Sequence, residues 1–262
     1  SSLAQRRTPL RRAQAMPPTL WSAVRRELIP RVLRWSYDVS AVLRPGSTVV
    51  NCGYAPGLPQ WALEELRRRG VESSEPHCLG VEAALYLRAS VGAAPAAPSW
   101  EGLRVLEVGC GLGGGARCLT ALLCPAAYVA VDYSAASVAR GRRRHLAAWS
   151  ASLPVEYRVV DATSLAESFQ HESFDVALMV QSAHAVVDAR RMCDGLAHVL
   201  RPGGRLLLAD HFRERRWRDL QGRLADSGLV LGESEDITDK AAFSERIPDD
   251  MQYVLARFEK KK

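Results

Sequence analysis

A glycine-rich turn preceded by an acid is the clearest chemical signal in the sequence. In Val105-Leu-Glu-Val-Gly-Cys-Gly-Leu-Gly113, Glu107 stands two residues before Gly109, and glycine recurs at Gly111 and Gly113. Glycine permits positive φ and lets the backbone approach a ligand closely. A dinucleotide-binding turn has the spacing G-x-G-x-x-G and cradles a pyrophosphate, which an acid placed here would repel. The pattern therefore favours a ligand that carries an ammonium group.

Two further acids follow apolar runs downstream of this turn. Asp132 comes after Tyr128–Val131, about 20 residues past the turn, where an acid can accept the hydroxyls of a ribose. Asp161 comes after Val155–Val160 and could accept from an adenine amino group. An Asp after a strand often caps the next helix instead. Two such acids behind this turn favour ligand binding over capping alone.

Two histidines are candidates for acid–base chemistry. His184 and His211 each follow an apolar run, and imidazole titrates near neutral pH. We predict His184 as the general base and His211 as the second candidate, with Tyr54 closing the pocket or orienting a substrate. The alternative for each histidine is a surface or supporting role.

Apolar runs alternate with helical patterns through the second part of the chain. Such alternation predicts an α/β fold: a Rossmann-like, doubly wound, mostly parallel seven-stranded sheet with an N-terminal helical extension. Ligands bind beyond the carboxyl ends of the strands in such sheets, where the residues above lie. The predicted strands are Arg104–Val108, Tyr128–Val131, Val155–Val160, Phe174–Val180, Arg205–Ala209, Leu229–Glu233 and Gln252–Phe258; the predicted helices after Trp100 are Gly113–Leu123, Ala135–Ala148, Ala189–Leu200 and Arg216–Ser227.

The chain divides into three predicted parts. Residues 1–18 are basic and contain no acid, which is typical of a disordered solvated tail, with an organelle (mitochondrial) transit segment as the alternative. Residues 19–98 form a helical cap and a Pro- and Ala-rich linker. Residues 99–262 form the Rossmann-like domain.

Composition limits the class of protein. The chain has 262 residues, 47% of them hydrophobic, and no apolar run approaches the roughly 20 residues that cross a bilayer. Its six cysteines include no C-x-x-C pair, so we predict reduced thiols and an intracellular, cytoplasmic location. The formal net charge is +6. Two arginine-rich runs, 140–144 and 213–218, are expected to be solvated helix faces, with RNA binding as the alternative.

Taken together, these motifs resemble the class I S-adenosylmethionine-dependent methyltransferases over residues 102–210. The resemblance rests on the glycine turn, Ala-Val-Asp132-Tyr-Ser, Val-Val-Asp161-Ala, Ser-Phe-Asp175-Val-Ala and the Leu-Arg-Pro-Gly-Gly turn at 200–204. It implies that the turn glycines border S-adenosylmethionine, that Glu107 lies near the methionine end, and that Asp132 binds the ribose and Asp161 the adenine. The complete predicted cofactor site is Glu107, Gly109, Cys110, Gly111, Gly113, Asp132, Tyr133, Asp161, Ala162 and Gln181.

Other segments resemble the branch of that family that acts on lipids, sterols, tocopherols, polyketides and related small molecules. These are the extended turn through Arg117, Gln181-Ser-Ala-His184, and Asn51-Cys-Gly-Tyr54, a segment that closes over the cofactor in that branch. The chain departs from the branch after Thr238, where a lid segment is short. The resemblance therefore implies a reduced lid, or one supplied by the N-terminal helices.

These observations predict an enzyme that methylates a hydroxyl, amine or thiol of a small molecule. No metal site is predicted, because Gln181 and His184 rather than acids follow the fourth strand. No Asn/Asp-Pro-Pro-Tyr/Phe motif of amino-methylating nucleic-acid enzymes occurs there, so nucleic acid is not the predicted substrate. The alternatives are a cofactor-binding protein of this fold that acts as a partner or scaffold, and an RNA methyltransferase. The acceptor and the oligomeric state are not encoded in these motifs.

Overall fold

The computed structural model describes residues 51–69, 80–91, 99–148, 155–243, 247 and 249–261, with backbone only for 144–148. The predicted tail at 1–18 and residues 19–50 of the predicted helical cap lie outside the described residues. The division into a tail, a helical cap and a Rossmann-like domain therefore stays a prediction. Within the described residues, no helix is both long and apolar enough to span a membrane.

Helices and strands alternate as the hydrophobic pattern predicts. The helices are α1 Gln60–Arg68, α2 Val81–Val91, α3 Gly114–Leu123, α4 Ala135–Ala148, α5 Leu165–Ser168, α6 Ala189–Val199 and α7 Glu214–Asp226. The strands are β1 Arg104–Val108, β2 Ala127–Asp132, β3 Val155–Val159, β4 Phe174–Val180, β5 Leu200–Phe212, β6 Leu229–Asp236 and β7 Gln252–Lys260. Short 3₁₀ turns follow β3, β4 and β6.

The seven strands form one sheet in the order β3-β2-β1-β4-β5-β7-β6. The first five strands in the chain are parallel, whereas β7 runs antiparallel to both β5 and β6. This is the predicted Rossmann-like, mostly parallel sheet, and the prediction of fold class is confirmed. The order reverses between β1 and β4, so the carboxyl ends of these two strands flank the crevice in which such sheets bind ligands.

Both faces of the sheet are covered by helices. One face packs α2 and α3 over a core that includes Leu85, Leu119 and Tyr128. The other face packs α6 and α7 over a core that includes Leu196 and Trp217. Central strands are therefore apolar on both sides, and burying a Leu or Val side chain contributes about 1.5–3 kcal/mol. Burying a polar side chain in such a strand costs free energy, so it must be offset by a hydrogen bond or a ligand.

β5 begins earlier than its apolar run predicts. Pairing with β4 steps from Leu200 opposite Phe174 to Arg205 opposite Val176. The predicted turn, Pro202-Gly-Gly204, is therefore a bulge within the strand rather than a separate loop. Gly203 has φ of 74°, a conformation that favours glycine.

The described N-terminal segment is held by the segment between β6 and β7. Tyr54 forms an isolated antiparallel bridge with Ala241, and the Phe243 amide donates to the Cys52 carbonyl at 2.9 Å. Arg88 of α2 forms an ion pair with Glu235 of β6. We call residues 51–54 together with residues 240–243 the clasp. It joins distant parts of the chain beside the carboxyl end of β4.

Candidate functional site

The glycine turn is held against β2 by its own backbone. The amides of Gly109 and Cys110 both donate to the Val131 carbonyl, at 2.8 and 2.9 Å. Gly109, Gly111 and Gly113 have φ of 82°, 52° and 79°, which lie in the left-handed region. A side chain at Gly111 would meet no atom within 4 Å, so the turn presents bare backbone to open space. This is the setting in which a ligand can approach the main chain.

Glu107 is buried beneath the turn, with 1% of its surface exposed. Its Oε2 accepts from the Tyr128 hydroxyl at 2.9 Å, and Tyr86 of α2 is a second hydroxyl partner. Its Oε1 has no hydrogen-bond partner among the described residues. Burial raises the pKa of Glu107 to about 7, against the lowering effect of the two tyrosines.

Asp132 links the end of β2 to the glycine turn. Its Oδ2 accepts from the Gly111 amide and its Oδ1 from the Ser134 amide, each at 2.9 Å. A carboxylate offers about four acceptor positions in all. Tyr133 follows directly and is half-buried. Asp132 therefore fixes the turn and can also accept ribose hydroxyls.

Asp161 lies at the carboxyl end of the neighbouring strand and is exposed. Its Oδ1 accepts from the amide and the hydroxyl of Thr163, at 2.8 and 2.7 Å, and so caps the 3₁₀ turn that starts at Ala162. Capping is thus one role of this residue. Both contacts use a single oxygen, which is compatible with adenine recognition as well.

These groups fit the cofactor that the sequence motifs imply. The unpaired Glu107 oxygen suits an ammonium group, the bare backbone at Gly111 suits close contact, and Asp132 and Asp161 stand on successive strands. Cys110 is buried, and burial raises the pKa of its thiol well above its usual range. Cys110 therefore acts here as a small apolar residue and not as a nucleophile.

A histidine–aspartate pair occupies the carboxyl ends of β4 and β5. The Nδ1 of His184 lies 2.7 Å from Oδ1 of Asp210, and the His184 amide donates to Oδ2 at 3.0 Å. Asp210 has no exposed surface, whereas the His184 side chain is 29% exposed. Because a carboxylate accepts hydrogen bonds, Nδ1 of His184 is the donor in this pair, which leaves Nε2 as the ring nitrogen that can accept a proton.

His211 lies on the next position of β5, beside the pair. Its ring is 4.3 Å from the His184 ring, and its Nδ1 is 3.4 Å from both the Asp210 carboxylate and Nε2 of Gln181. Burial and then the neighbouring His184 lower the pKa of His211, so it is neutral at pH 7. His211 is more enclosed than His184 and has fewer open positions for a substrate.

Gln181 connects the site to the clasp. It has φ of 51°, an uncommon conformation for a residue other than glycine. Its Nε2 lies 2.9 Å from the Cys52 sulfur. Tyr54, which follows Cys52 by two residues, is half-buried, and the centre of its ring lies 6.0 Å from the Arg88 guanidinium carbon. Tyr54 is thus held in the clasp close to the site.

Three residues of this site were not predicted from the sequence. Asp210 holds both histidines, and Tyr86 and Tyr128 hold Glu107. Asp210 had a signal, because it follows an apolar strand just as Asp132 does and directly precedes His211. The tyrosines had none, because their contacts with Glu107 depend on how α2 and β2 pack against β1.

The absence of a metal site stays a prediction, but the reason given for it was incomplete. That reason considered only residues that follow β4 in the chain, whereas Asp210 comes from the adjacent strand β5. One ligand atom each from His184, Asp210 and His211 lies within 4.8 Å of the others, a group that could hold a metal ion. The 2.7 Å contact and the amides that Asp210 accepts favour a hydrogen-bonded pair as its working arrangement.

The two histidines line a cavity of about 270 Å³ that opens at the start of α7. Its other walls include Phe212, Met251 and the arginines of the first turn of α7. A second cavity of about 430 Å³ adjoins it between α6 and α7. An acceptor molecule can therefore reach His184 from outside the sheet.

Comparison with known proteins agrees with this site. Residues 106–208 match the family model described as a methyltransferase domain. This stretch of the chain is therefore similar to methyltransferase domains, the class that the sequence motifs indicate. The matched residues run from β1 to β5 and so include the glycine turn, Asp132, Asp161 and His184.

Relatives of this methyltransferase domain include two mycobacterial proteins. Phthiotriol/phenolphthiotriol dimycocerosates methyltransferase 1 of Mycobacterium ulcerans (strain Agy99) is 40% identical over 130 residues, which are 49% of this chain and 45% of that protein. Fatty-acid O-methyltransferase of Mycolicibacterium smegmatis (strain ATCC 700084 / mc(2)155) is 40% identical over 131 residues, 50% of this chain and 45% of that protein. The chain thus matches about 45% of the length of each.

Solved structures share the fold of this methyltransferase domain. Geranyl diphosphate C-methyltransferase from Streptomyces coelicolor A3(2), solved with Mg²⁺, geranyl diphosphate and S-adenosyl-L-homocysteine, has a TM-score of 0.62 and 19% identity, covering 87% of this chain and 97% of that one. SpnF, described as a cyclase, has a TM-score of 0.63 and 20% identity, covering 87% and 96%. One fold therefore carries different activities, and the reaction must be argued from the site.

Proposed function

We propose that this protein transfers a methyl group from S-adenosylmethionine to a hydroxyl of a lipid or other small molecule. The pairing of His184 with buried Asp210 at the mouth of a cavity carries the proposal. The names of the two mycobacterial relatives, which act on lipids, support the substrate class. Amine and thiol acceptors are the other chemistries that the same site could serve.

The cofactor, when bound, supplies a methyl group already activated by its sulfonium. Glu107 would bind its ammonium group, Asp132 its ribose hydroxyls and Asp161 its adenine amino group. Gly111 allows the main chain to lie against it. These residues bind and orient, and alignment of an activated methyl group with a nucleophile contributes much of the rate enhancement in such reactions.

His184 provides the chemistry that a hydroxyl acceptor needs. As the acceptor oxygen takes up the methyl group that the cofactor would supply with release of the neutral thioether, Nε2 of His184 would accept the O–H proton. The imidazolium that results is stabilised by the Asp210 carboxylate at Nδ1, 2.7 Å away. General bases of this kind contribute about 10²–10⁴-fold to a rate.

The proposal is tested with methyl-labelled cofactor and a panel of aliphatic alcohols, hydroxy acids, amines and thiols. We expect product with a hydroxyl acceptor, a kcat about 100-fold lower in His184→Gln, and a smaller loss in Asp210→Asn. His171→Gln is the matched control, because His171 is exposed and remote from the site. Thermal stabilisation by S-adenosylhomocysteine should be the same in all four proteins.

Unchanged turnover in His184→Gln would remove that residue from the mechanism. Persistent lack of labelled product with the panel and with lipid extracts, in a protein that S-adenosylhomocysteine stabilises, would contradict the enzyme and favour a cofactor-binding scaffold. Lack of stabilisation would contradict the cofactor site itself.

A further inference from the structure

The two cavities beside His184 form one continuous groove. They share Phe212, Arg216 and Asp219 as lining residues. The first begins at His184, and the second continues between α6 and α7. We call this the α7 groove. It is long enough to hold more than the reacting group of an acceptor.

The α7 groove combines apolar and charged walls. Between α6 and α7 its wall includes Val186, Val187 and Leu220, together with Asp188, Arg190 and Arg223. Near His184 its wall includes Arg213, Arg215 and Arg216, at the first turn of α7. This distribution suits a molecule with an apolar body and a charged group.

The positive charge at the first turn is not cancelled within the described residues. Arg213 is paired with Asp250 at 2.5 Å, whereas Arg215 has no hydrogen bond or ion pair among the described residues. Arg216 makes one long contact, 3.4 Å to the Val186 carbonyl, and no ion pair in the same part of the chain. Asp219 is the acid that shares this wall. Two guanidinium groups therefore face one carboxylate.

Arg215 and Arg216 are exposed, and they differ from a neighbouring arginine outside the groove in having no acid partner among the described residues. Arg218, on the same helix but outside the groove, pairs with Glu214 one turn earlier at 3.2 Å. Guanidinium groups without an acid partner beside a cavity can bind a carboxylate or phosphate through parallel N–H groups.

We infer that the α7 groove binds an anionic amphiphile, whose carboxylate or phosphate is held by Arg215 and Arg216 and whose apolar body lies along Val186, Val187 and Leu220. The inference rests on the proposed function, because it names the class of molecule that is presented to His184. It also makes a binding prediction that needs no turnover.

The test measures binding of a fluorescent acid, 11-(dansylamino)undecanoic acid, and of its uncharged methyl ester. We expect the wild-type protein to bind the acid roughly tenfold more tightly than the ester, because charge-assisted hydrogen bonds discriminate by about that much. The R215Q/R216Q protein should lose this preference, and R218Q should keep it. Val187→Asn should weaken both ligands alike.

Equal binding of acid and ester by the wild-type protein, or a preference that survives in R215Q/R216Q, would overturn the inference. Displacement of the probe by laurate and by dodecyl phosphate distinguishes the two head groups: stronger displacement by one identifies it, and failure of both overturns the inference. Anion-selective binding without methylation of any acceptor would instead contradict the proposed function and leave the groove assignment standing.

Discussion

At the scale of single residues, the site is built from carboxylates that differ in burial. Asp161 is exposed and Asp210 is fully buried, yet both accept backbone or side-chain hydrogen bonds that hold them in place. Glu107 is the exception, because one of its oxygens is buried and unpaired. Burying half of a carboxylate without a partner is costly unless the group is protonated or a ligand pairs with it.

Glu107 should therefore make cofactor binding depend on pH. Its pKa of about 7 in the free protein means that it is protonated below that pH, whereas an ammonium ligand favours the ionised form. Binding then releases a proton, and affinity for S-adenosylhomocysteine should rise close to tenfold between about pH 6 and about pH 7.5. Isothermal titration calorimetry in buffers of different ionisation enthalpy measures both effects.

Glu107→Gln is the control for this titration. It keeps the shape of the side chain and removes the ionisable group, so its affinity should be lower and flat over the same range. A variant that follows the wild-type pH profile would show that another group is responsible.

At the scale of elements, most helix and strand boundaries were predictable within two or three residues. Apolar runs between polar turns are a strong signal when the sheet is covered on both faces, as it is around β1 and β4. The reversed direction of β7 was not predictable, because strand order depends on contacts between distant residues. For the same reason the pairing of His184 with Asp210 was missed, since it requires β4 and β5 to lie side by side.

The junction between β1 and the loop after β4 gives a prediction about Gly109. An added Cβ there would lie 2.3 Å from the Cβ of Ser182, whose hydroxyl donates to the Val108 carbonyl. Gly109→Ala should therefore destabilise the fold by more than the roughly 1–2 kcal/mol of a left-handed alanine and should abolish stabilisation by S-adenosylhomocysteine. Urea unfolding and thermal shift measure these effects.

Gly102→Ala is the matched control, because Gly102 has φ of 80° and nothing within 4 Å of its Cβ position. It carries the same backbone penalty without the clash. Equal losses in the two variants would mean that Ser182 moves aside and that the close approach at Gly109 has no role.

At the scale of the whole molecule, the clasp brings the described N-terminal segment to the site. Cys52 reaches Gln181 at the end of β4, and the bridge from Tyr54 to Ala241 anchors that segment from the other side. The sequence resemblance implies that residues 51–54 close over the cofactor. The shared network of Cys52, Gln181 and His211 gives a physical route by which cofactor and clasp can influence each other.

Hydrogen exchange measures that coupling. We expect S-adenosylhomocysteine to slow exchange in peptides that cover residues 51–54 and 240–243, in addition to the glycine turn, because ordering the turn leaves less freedom for the clasp. Peptides from the start of β6, at residues 229–231, should be unaffected and serve as the internal control. Protection confined to residues 109–113 would contradict closure of the clasp.

The antiparallel placement of β7 also affects folding during synthesis, because the strands leave the ribosome in chain order. The glycine turn and Asp132 lie in a part of the chain that is made early, whereas β5 gains its second neighbour only when β7 emerges and sets Tyr253 opposite His211. A nascent or truncated chain that stops before this nine-residue strand leaves the long β5 as an open edge. Such edges pair readily with other chains, so a late stop codon should yield aggregation rather than a half-active enzyme.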